Sequence, residues 1–289
     1  MMAVEVGPSI VGVAGAEFAL GDEASLLPAF SCPSHPDFTV YFRPGRTPLS
    51  AWRRSRVERV EVERGGLLVR MAVTEWSARI DLEAREAVVH LPGPWPAAIE
   101  SFFKTLVQLI TLHDRSGLVF HAAAVACEGQ GYLFVGPSGA GKTTVAGLSE
   151  EVGATVLSEE IACVCNRNGT GEYMVRSLPV RHRGRRVVTR CSVPLARVFT
   201  LQQGPTDRVV PLAADQGLRA LLRTVSVGVR APYFLRQAFV GCARLAAAVP
   251  VEELEFTLST AFWRRIRETG DHLLRVRHRH HHQQQHLAN

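Results

Sequence analysis

A glycine-rich loop between an apolar strand and a helix constrains this chain more than any other feature of its sequence. Residues Gly136 to Thr143 read Gly-Pro-Ser-Gly-Ala-Gly-Lys-Thr and fit the pattern GxxxxGK[ST] without a substitution. The apolar run Tyr132–Val135 precedes the loop, and a helical pattern that begins near Lys142 follows it. Strand, loop and helix in this order are typical of a P-loop, in which backbone N–H groups and the positive end of a helix dipole hold phosphate groups. The sequence therefore predicts a nucleoside triphosphate site.

Each residue type in this loop has a physical task. The glycines allow backbone conformations that are closed to other residues, so that consecutive N–H groups converge on phosphate oxygens. Lys142 is expected to reach the β- and γ-phosphates, and the hydroxyl of Thr143 is expected to bind Mg²⁺. We predict ATP and Mg²⁺ as the bound groups. The predicted nucleotide-binding residues are Gly136, Pro137, Ser138, Gly139, Ala140, Gly141, Lys142, Thr143 and Thr144.

Two features outside the loop can also carry chemistry. Glu159 and Glu160 directly follow the predicted strand Ala154–Leu157, and in P-loop proteins an acidic residue at the end of a neighbouring strand holds Mg²⁺. The second carboxylate could accept a proton from an attacking hydroxyl, and a solvated strand end is the alternative interpretation. His121 lies in the apolar run Val119–Val125. On these residues alone, a histidine in such a run is more often a satisfied core residue than a functional one.

Composition and missing motifs exclude several classes of protein. The 289 residues are 46% hydrophobic, which allows a substantial core. No apolar run reaches the roughly 18 residues that a membrane span needs, and no basic segment precedes the apolar N-terminal stretch, so we expect a cytoplasmic protein that does not bind membranes. Of the 33 Lys and Arg residues only Lys104 and Lys142 are lysines, so the net charge of +6 is weak evidence for nucleic-acid binding. A GTPase is disfavoured because neither DxxG nor [NT]KxD follows the loop.

The chain divides into four predicted parts. For the strand-rich residues 1–94 we predict a small antiparallel sheet, and for residues 95–116 an amphipathic linking helix. Residues 117–270 are predicted to form an α/β P-loop domain, and residues 271–289 a disordered tail rich in His and Gln. The N-terminal strands are predicted at Phe38–Phe42, Val57–Val62, Leu67–Val73, Trp76–Leu82 and Val88–Leu91.

The segment from Leu118 to Thr144 and the segment GATVLSEEIACV resemble the catalytic domain of the HPr kinase/phosphorylase superfamily. Proteins of that superfamily, and the related kinases that phosphorylate serine in bacterial peptide maturation, share a histidine-containing strand, a hairpin into a GxSGxGK[ST] loop, and an acidic pair beyond the lysine. Here 17 residues separate Lys142 from Glu159, as in that family, and the resemblance covers roughly residues 117–268.

The resemblance implies an ATP-dependent kinase that transfers the γ-phosphoryl group to a hydroxyl, most simply a serine of a peptide or small protein. It implies Glu159 as general base, Glu160 with Thr143 as Mg²⁺ ligands, and Lys142 and His121 as further catalytic residues. The acidic pair is usually Asp-Asp or Asp-Glu in the family, whereas this chain has two glutamates. The C-terminal motif of the HPr-phosphorylating enzymes is absent, so HPr is not the expected substrate.

Two other functions remain open on the sequence. One is a kinase of a small metabolite with the same fold, and the other is a nucleotide-binding accessory protein without phosphoryl transfer. The sequence also leaves open whether copies of the chain form a homo-oligomer, and whether an arginine cluster binds an acidic substrate or is only a solvated loop. The cluster consists of Arg176, Arg181, Arg183, Arg185, Arg186 and Arg190.

Overall fold

Two β-sheets with a long helix between them make up the part of the chain that the computed structural model describes. This part comprises residues 2–6, 9–14, 35–45, 59–63, 65, 67–73, 76–91, 96–166, 171–178, 181–182, 185–186 and 190–270. The predicted tail, residues 271–289, lies outside it.

The N-terminal sheet is mixed, which corrects the predicted antiparallel sheet. Its seven strands are β1 (Met2–Val6), β2 (Ser9–Ala14), β3 (Phe38–Pro44), β4 (Arg59–Glu63), β5 (Leu68–Ala72), β6 (Ser77–Asp81) and β7 (Glu86–Leu91), in the order β1-β2-β3-β7-β6-β5-β4. Strand β3 pairs in parallel with both β2 and β7, whereas the other neighbours are antiparallel. Alternation of apolar and polar residues identifies a strand but not the direction of its neighbour, because a parallel pair joins segments that are distant in sequence.

The helix α1 (Pro96–His113) lies between the two sheets. On one side, the ring centroid of Phe42 in β3 is 5.8 Å from that of Phe102, and the indole of Trp76 donates a hydrogen bond of 3.2 Å to the hydroxyl of Ser101. On the other side, Leu106 and Val107 belong to the same buried cluster as residues of the second sheet. An apolar helix with two buried sides therefore joins both sheets to one core.

The second sheet has nine strands, and the glycine-rich loop follows one of them. They are β8 (Gly117–Cys127), β9 (Gln130–Val135), β10 (Thr155–Ser158), β11 (Ile161–Asn166), β12 (Tyr173–Arg176), β15 (Ser192–Gln203), β16 (Arg208–Pro211), β17 (Val225–Ser226) and β18 (Val251–Phe256). A separate pair of two-residue strands consists of β13 (Arg181–His182) and β14 (Arg185–Arg186). The strand β8 is long enough to pair with β11 and β17 near its start and with β9 and β10 further along.

Helices cover both faces of this sheet. The helices α1, α3 (Ala214–Thr224) and α4 (Pro232–Ala248) contribute to the larger buried cluster, and α2 (Lys142–Glu151) packs with the helix α5 at 262–270 in a second cluster. Successive residues of β8 point to opposite faces, so Ala122 and Ala124 join the first cluster while Ala123 and Val125 join the second. The protein is therefore a mixed α/β protein, and its second part has a layer of helices on each side of the sheet. No helix in the described part of the chain is both long and apolar enough to span a membrane.

Candidate active site

The glycine-rich loop lies between β9 and α2, in the order that the sequence predicts. The strand β9 pairs in parallel with β15 and antiparallel with β8, which places it inside the sheet, and the helix α2 begins at Lys142 directly after the loop. The exposed residues Pro137, Ser138 and Gly139 form the tip of the loop. A ligand can therefore approach the loop from solvent at the N-terminal end of α2.

Two of the loop glycines are required by close packing. A Cβ at Gly136 would lie 2.8 Å from the Cβ of Ala140. A Cβ at Gly141 would lie 2.6 Å from the Cζ of Phe256, and Gly141 also has a φ of +102°, in the left-handed region that side chains disfavour. The loop conformation therefore depends on the absence of side chains at these positions.

The side chain of Lys142 folds over the loop from which it arises. Its Nζ donates hydrogen bonds to the carbonyl oxygens of Gly136, at 2.8 Å, and of Pro137, at 2.9 Å. Only 7% of the residue is exposed. A buried ammonium is held at the mouth of the loop, where it complements an anion.

Strand register places His121 beside the loop. Ala122, the next residue in β8, is the partner of Val135, the last residue before the loop. On the other edge of β8, His121 is the partner of Ile161, and the N–H of Ala122 donates a hydrogen bond of 3.0 Å to the carbonyl of Glu160. His121 is thus held between the P-loop and the acidic turn.

His121 is exposed rather than a core residue, and nearby groups shift its pKa. Partial burial lowers the pKa of the imidazole and the ammonium of Lys142 lowers it further, whereas the carboxylate and backbone of Glu160 raise it. The net result is a pKa below the ordinary value of a histidine. A neutral imidazole at pH 7 is suited to accept a hydrogen bond or a proton rather than to bind an anion as a cation.

The acidic pair occupies the turn between β10 and β11, and its two members have different environments. Glu159 is 7% exposed, whereas the side chain of Glu160 is 53% exposed. The hydroxyl of Ser158, which is buried, accepts a hydrogen bond of 3.2 Å from the N–H of Glu160 and fixes the turn. The pair can therefore divide its work between an enclosed carboxylate and an accessible one.

Lys104 is a site residue whose role the sequence did not predict. From α1 its Nζ reaches Glu160 at 3.4 Å and Glu100, one helical turn away, at 3.0 Å. Lys104 and Lys142 are the two lysines of a chain that otherwise uses arginine. Their rarity was a usable signal, but the loop motif explained only Lys142.

The arginine cluster can be placed only in part. Arg176 at the end of β12 is half-buried, and Arg190 is exposed. Arg181, Arg185 and Arg186 lie in β13 and β14, and their side chains are outside what the structure describes, as is the whole of Arg183. Whether the cluster contacts a substrate stays a prediction.

The residues present fit a magnesium nucleotide. Within the described residues no group of three or more His, Cys, Asp and Glu side chains is arranged for a metal ion. Mg²⁺ in nucleotide sites is held by one or two protein oxygens together with phosphates and water, so the hydroxyl of Thr143 and the carboxylate of Glu160 are a suitable donor set. In the structure that carboxylate is paired with Lys104, which a metal ion would have to displace.

A comparison with protein families identifies the relationship of this chain. Residues 98–269 match the family described as SynChlorMet cassette protein ScmC. The chain belongs to the ScmC family. The match begins within α1 and ends within α5, so the part shared with ScmC proteins contains Glu100 and Lys104 as well as the P-loop, His121 and the acidic turn.

Comparison with solved structures gives a much weaker likeness. The HPr(Ser) kinase/phosphatase from Coxiella burnetii matches with a TM-score of 0.31 and 9% identity, over 55% of this chain and 98% of that protein. No curated protein matches the sequence.

Proposed function

We propose that this ScmC protein is an ATP-dependent kinase that transfers the γ-phosphoryl group to a hydroxyl, namely a serine of a peptide or small protein. The observation that carries the proposal is the strand register that places His121 between the lysine-bearing loop and the turn of Glu159 and Glu160. A P-loop alone indicates a nucleotide and no reaction. A P-loop lysine with a neutral imidazole and two carboxylates beside it supplies groups for both phosphate binding and proton transfer.

The side chains have separate tasks in the proposed reaction. The loop N–H groups and Lys142 hold the triphosphate, and Thr143 and Glu160 hold the metal ion. Mg²⁺, when bound, neutralises charge on the phosphate oxygens. Glu159 takes the proton of the acceptor hydroxyl as the oxygen forms its bond to the γ-phosphorus and the bond from that phosphorus to the bridging oxygen of ADP breaks.

His121 has a supporting task. As a neutral base beside Lys142 it can orient the acceptor hydroxyl by accepting a hydrogen bond. The exposed tip of the loop supports a peptide or protein acceptor rather than a small metabolite, because a metabolite kinase needs an enclosed pocket. The cassette in the family description supports an acceptor supplied by another component of the same cassette.

A second candidate function is a nucleotide-binding accessory protein without phosphoryl transfer. The ion pair between Lys104 and Glu160 favours it, because a carboxylate that is neutralised by an ammonium is a weaker ligand for Mg²⁺. The two functions differ in whether phosphate reaches an acceptor.

The test is phosphoryl transfer measured by mass spectrometry. The protein is incubated with ATP and Mg²⁺ and with candidate serine-containing peptides, and the products are compared with those of Glu159→Gln. A peptide that gains one phosphate with the native chain and none with the variant supports the kinase. ATP binding without transfer to any peptide supports the accessory protein, and full transfer by the variant contradicts Glu159 as the base.

A further inference from the structure

A basic groove lies at the end of α1, away from the P-loop. It has a volume of about 530 Å³ and runs along α4, where Tyr233, Arg236, Gln237, Val240 and Arg244 line it together with Arg115. Three of these side chains are guanidinium groups, and no lining residue is acidic.

The three guanidinium groups lack carboxylate partners in the described part of the chain. Other arginines on the described surface do pair with acids, as Arg70 does with Glu63 and Arg208 with Glu255. Asp114 precedes Arg115 in sequence, but it accepts hydrogen bonds from Arg85, the closest at 2.7 Å. Arg115, Arg236 and Arg244 are exposed and make no ion pair among the described residues. The positive charge of the groove is therefore available to a ligand.

The other titratable side chains near the groove are His113 and Tyr173. Burial lowers the pKa of His113, the carboxylates of Asp114 and Glu83 raise it, and Arg85 and Arg115 lower it. Its Nδ1 lies 3.1 Å from the hydroxyl of Tyr233. Tyr173 lines a neighbouring cavity that shares Arg115 and Arg244 with the groove, and burial raises its pKa, so this phenol remains neutral at pH 7.

The backbone at Arg115 provides a second, independent observation. Its φ is +55°, and it directly follows the end of α1, where the N–H of Ser116 donates to the carbonyl of Thr111. Helices that end in this way usually have glycine at the left-handed position. Arginine is less favourable than glycine there, and its side chain lines the groove.

The spacing of the two arginines along α4 matches that of an extended ligand. Arg236 and Arg244 are eight residues apart on α4, a rise of about 12 Å. In an extended peptide two side chains that are four residues apart are separated by about 13 Å. An extended peptide with two acidic residues at this spacing can therefore place one carboxylate opposite each arginine.

We propose that the groove formed by Arg115, Arg236 and Arg244 binds an extended acidic segment of a peptide or protein partner. This goes beyond the proposed kinase activity, because the interaction needs neither nucleotide nor the acidic turn. The groove is separated from the candidate active site along β8, since Gly117 lines a neighbouring cavity that shares Arg115 and Arg244 with the groove, and His121 is four residues further, about 13 Å along the strand.

Fluorescence anisotropy with two dye-labelled synthetic peptides tests the groove. Both have a glycine–serine background with two glutamates, four residues apart in one peptide and adjacent in the other. Binding is measured with the full chain at low salt and without nucleotide, since exposed charge pairs are screened by salt. The spaced peptide should bind more tightly than the adjacent one, and its affinity should fall as salt is added.

Three variants and a control localise the binding. Arg236→Ala and Arg244→Ala should each weaken binding roughly two- to fivefold, the range for an exposed charge pair. Arg115→Gly should weaken binding similarly while raising the urea midpoint of unfolding, because glycine suits the left-handed backbone, so loss of fold cannot explain the loss of affinity. Arg223→Ala removes an exposed arginine at the end of α3, away from the groove, and should leave the affinity unchanged.

Three results would overturn the proposal. The first is an affinity that is unchanged in all three groove variants, and the second is equal affinity for the two peptides. The third is displacement of the peptide by a short oligothymidylate at lower concentration than by unlabelled peptide, which would make a nucleic acid the preferred occupant. Because no step uses ATP, a failed kinase assay leaves this test intact, and a failed binding test leaves the kinase proposal intact.

Discussion

Replacing Gly141 with alanine should damage both the fold and the nucleotide site. The new Cβ would lie 2.6 Å from the Cζ of Phe256 and 3.1 Å from the Nε2 of Gln203. The Phe256 ring cannot move away cheaply, because the residue is 1% exposed and packs edge-on against Phe262 at 6.2 Å. Overpacking of this kind costs about 1–3 kcal/mol.

Backbone strain adds to the cost. At a φ of +102° an alanine is in a region that only glycine adopts freely, and such strain costs about 1–3 kcal/mol. The two effects together predict a loss of about 2–6 kcal/mol in the free energy of unfolding, a large part of the 5–15 kcal/mol typical of a protein. If the variant folds, its distorted loop should bind ATP much more weakly.

Urea unfolding followed by circular dichroism measures this loss, and two glycines serve as controls. Gly139 has a φ of +83° but nothing within 4 Å of an added Cβ, so Gly139→Ala should show the strain without the clash. Gly147 lies within α2 with open space around it and no positive φ, and Gly147→Ala should stabilise the protein by about 0.5–1 kcal/mol. A Gly141→Ala variant as stable as the native chain, with unchanged ATP affinity, would refute the loop geometry.

Three further predictions concern charged groups. An NMR titration should give His121 a pKa below 6.5, and a pKa at or above 6.5 would contradict the prediction. Because the unfolded chain then binds more protons than the folded one, the free energy of unfolding should fall as the pH falls through 6.5 towards the folded pKa. The variant His121→Gln should not show this loss. Arg197→Met should lower the free energy of unfolding, measured in urea, by about 3–5 kcal/mol, because it leaves the buried carboxylate of Glu252 without its ion pair. A loss below about 1 kcal/mol would show that the pair is dispensable. Lys104→Met should change the free energy of unfolding by less than about 1 kcal/mol. It should lower the Mg²⁺ concentration at which ATP binding reaches half of its maximum, because the ammonium competes with the metal ion for Glu160. An unchanged Mg²⁺ requirement would show that Lys104 does not affect the metal site.

Local patterns predicted several elements around the candidate site. The linking helix predicted at residues 95–116 spans Pro96–His113, and the strand predicted at Ala154–Leu157 spans Thr155–Ser158. The helix has a strong period in its apolar residues, and Pro96 stands at its start, where a proline is tolerated. The loop was predicted because its chemistry requires a fixed spacing of glycine, lysine and threonine.

Long-range pairing could not be predicted in the same way. The parallel contacts of β3 join it to β2 and β7, and nothing in the alternation of Phe38–Phe42 records them. The position of Lys104 depends on how α1 crosses the second sheet, which its own sequence does not record. The different exposure of Glu159 and Glu160 likewise follows from the turn that joins β10 to β11 rather than from residue type.

Isothermal titration calorimetry with ATP and Mg²⁺ tests the central claim, that the loop from Gly136 to Thr144 binds a nucleoside triphosphate. The native chain and Glu159→Gln should both bind ATP with similar affinity, since the proposed base does not hold the phosphates. Lys142→Ala should bind at least about tenfold more weakly, because a charge-assisted hydrogen bond contributes about 1.5–3 kcal/mol. Equal binding by the native chain and Lys142→Ala, or no binding by either, would contradict a nucleotide site at this loop.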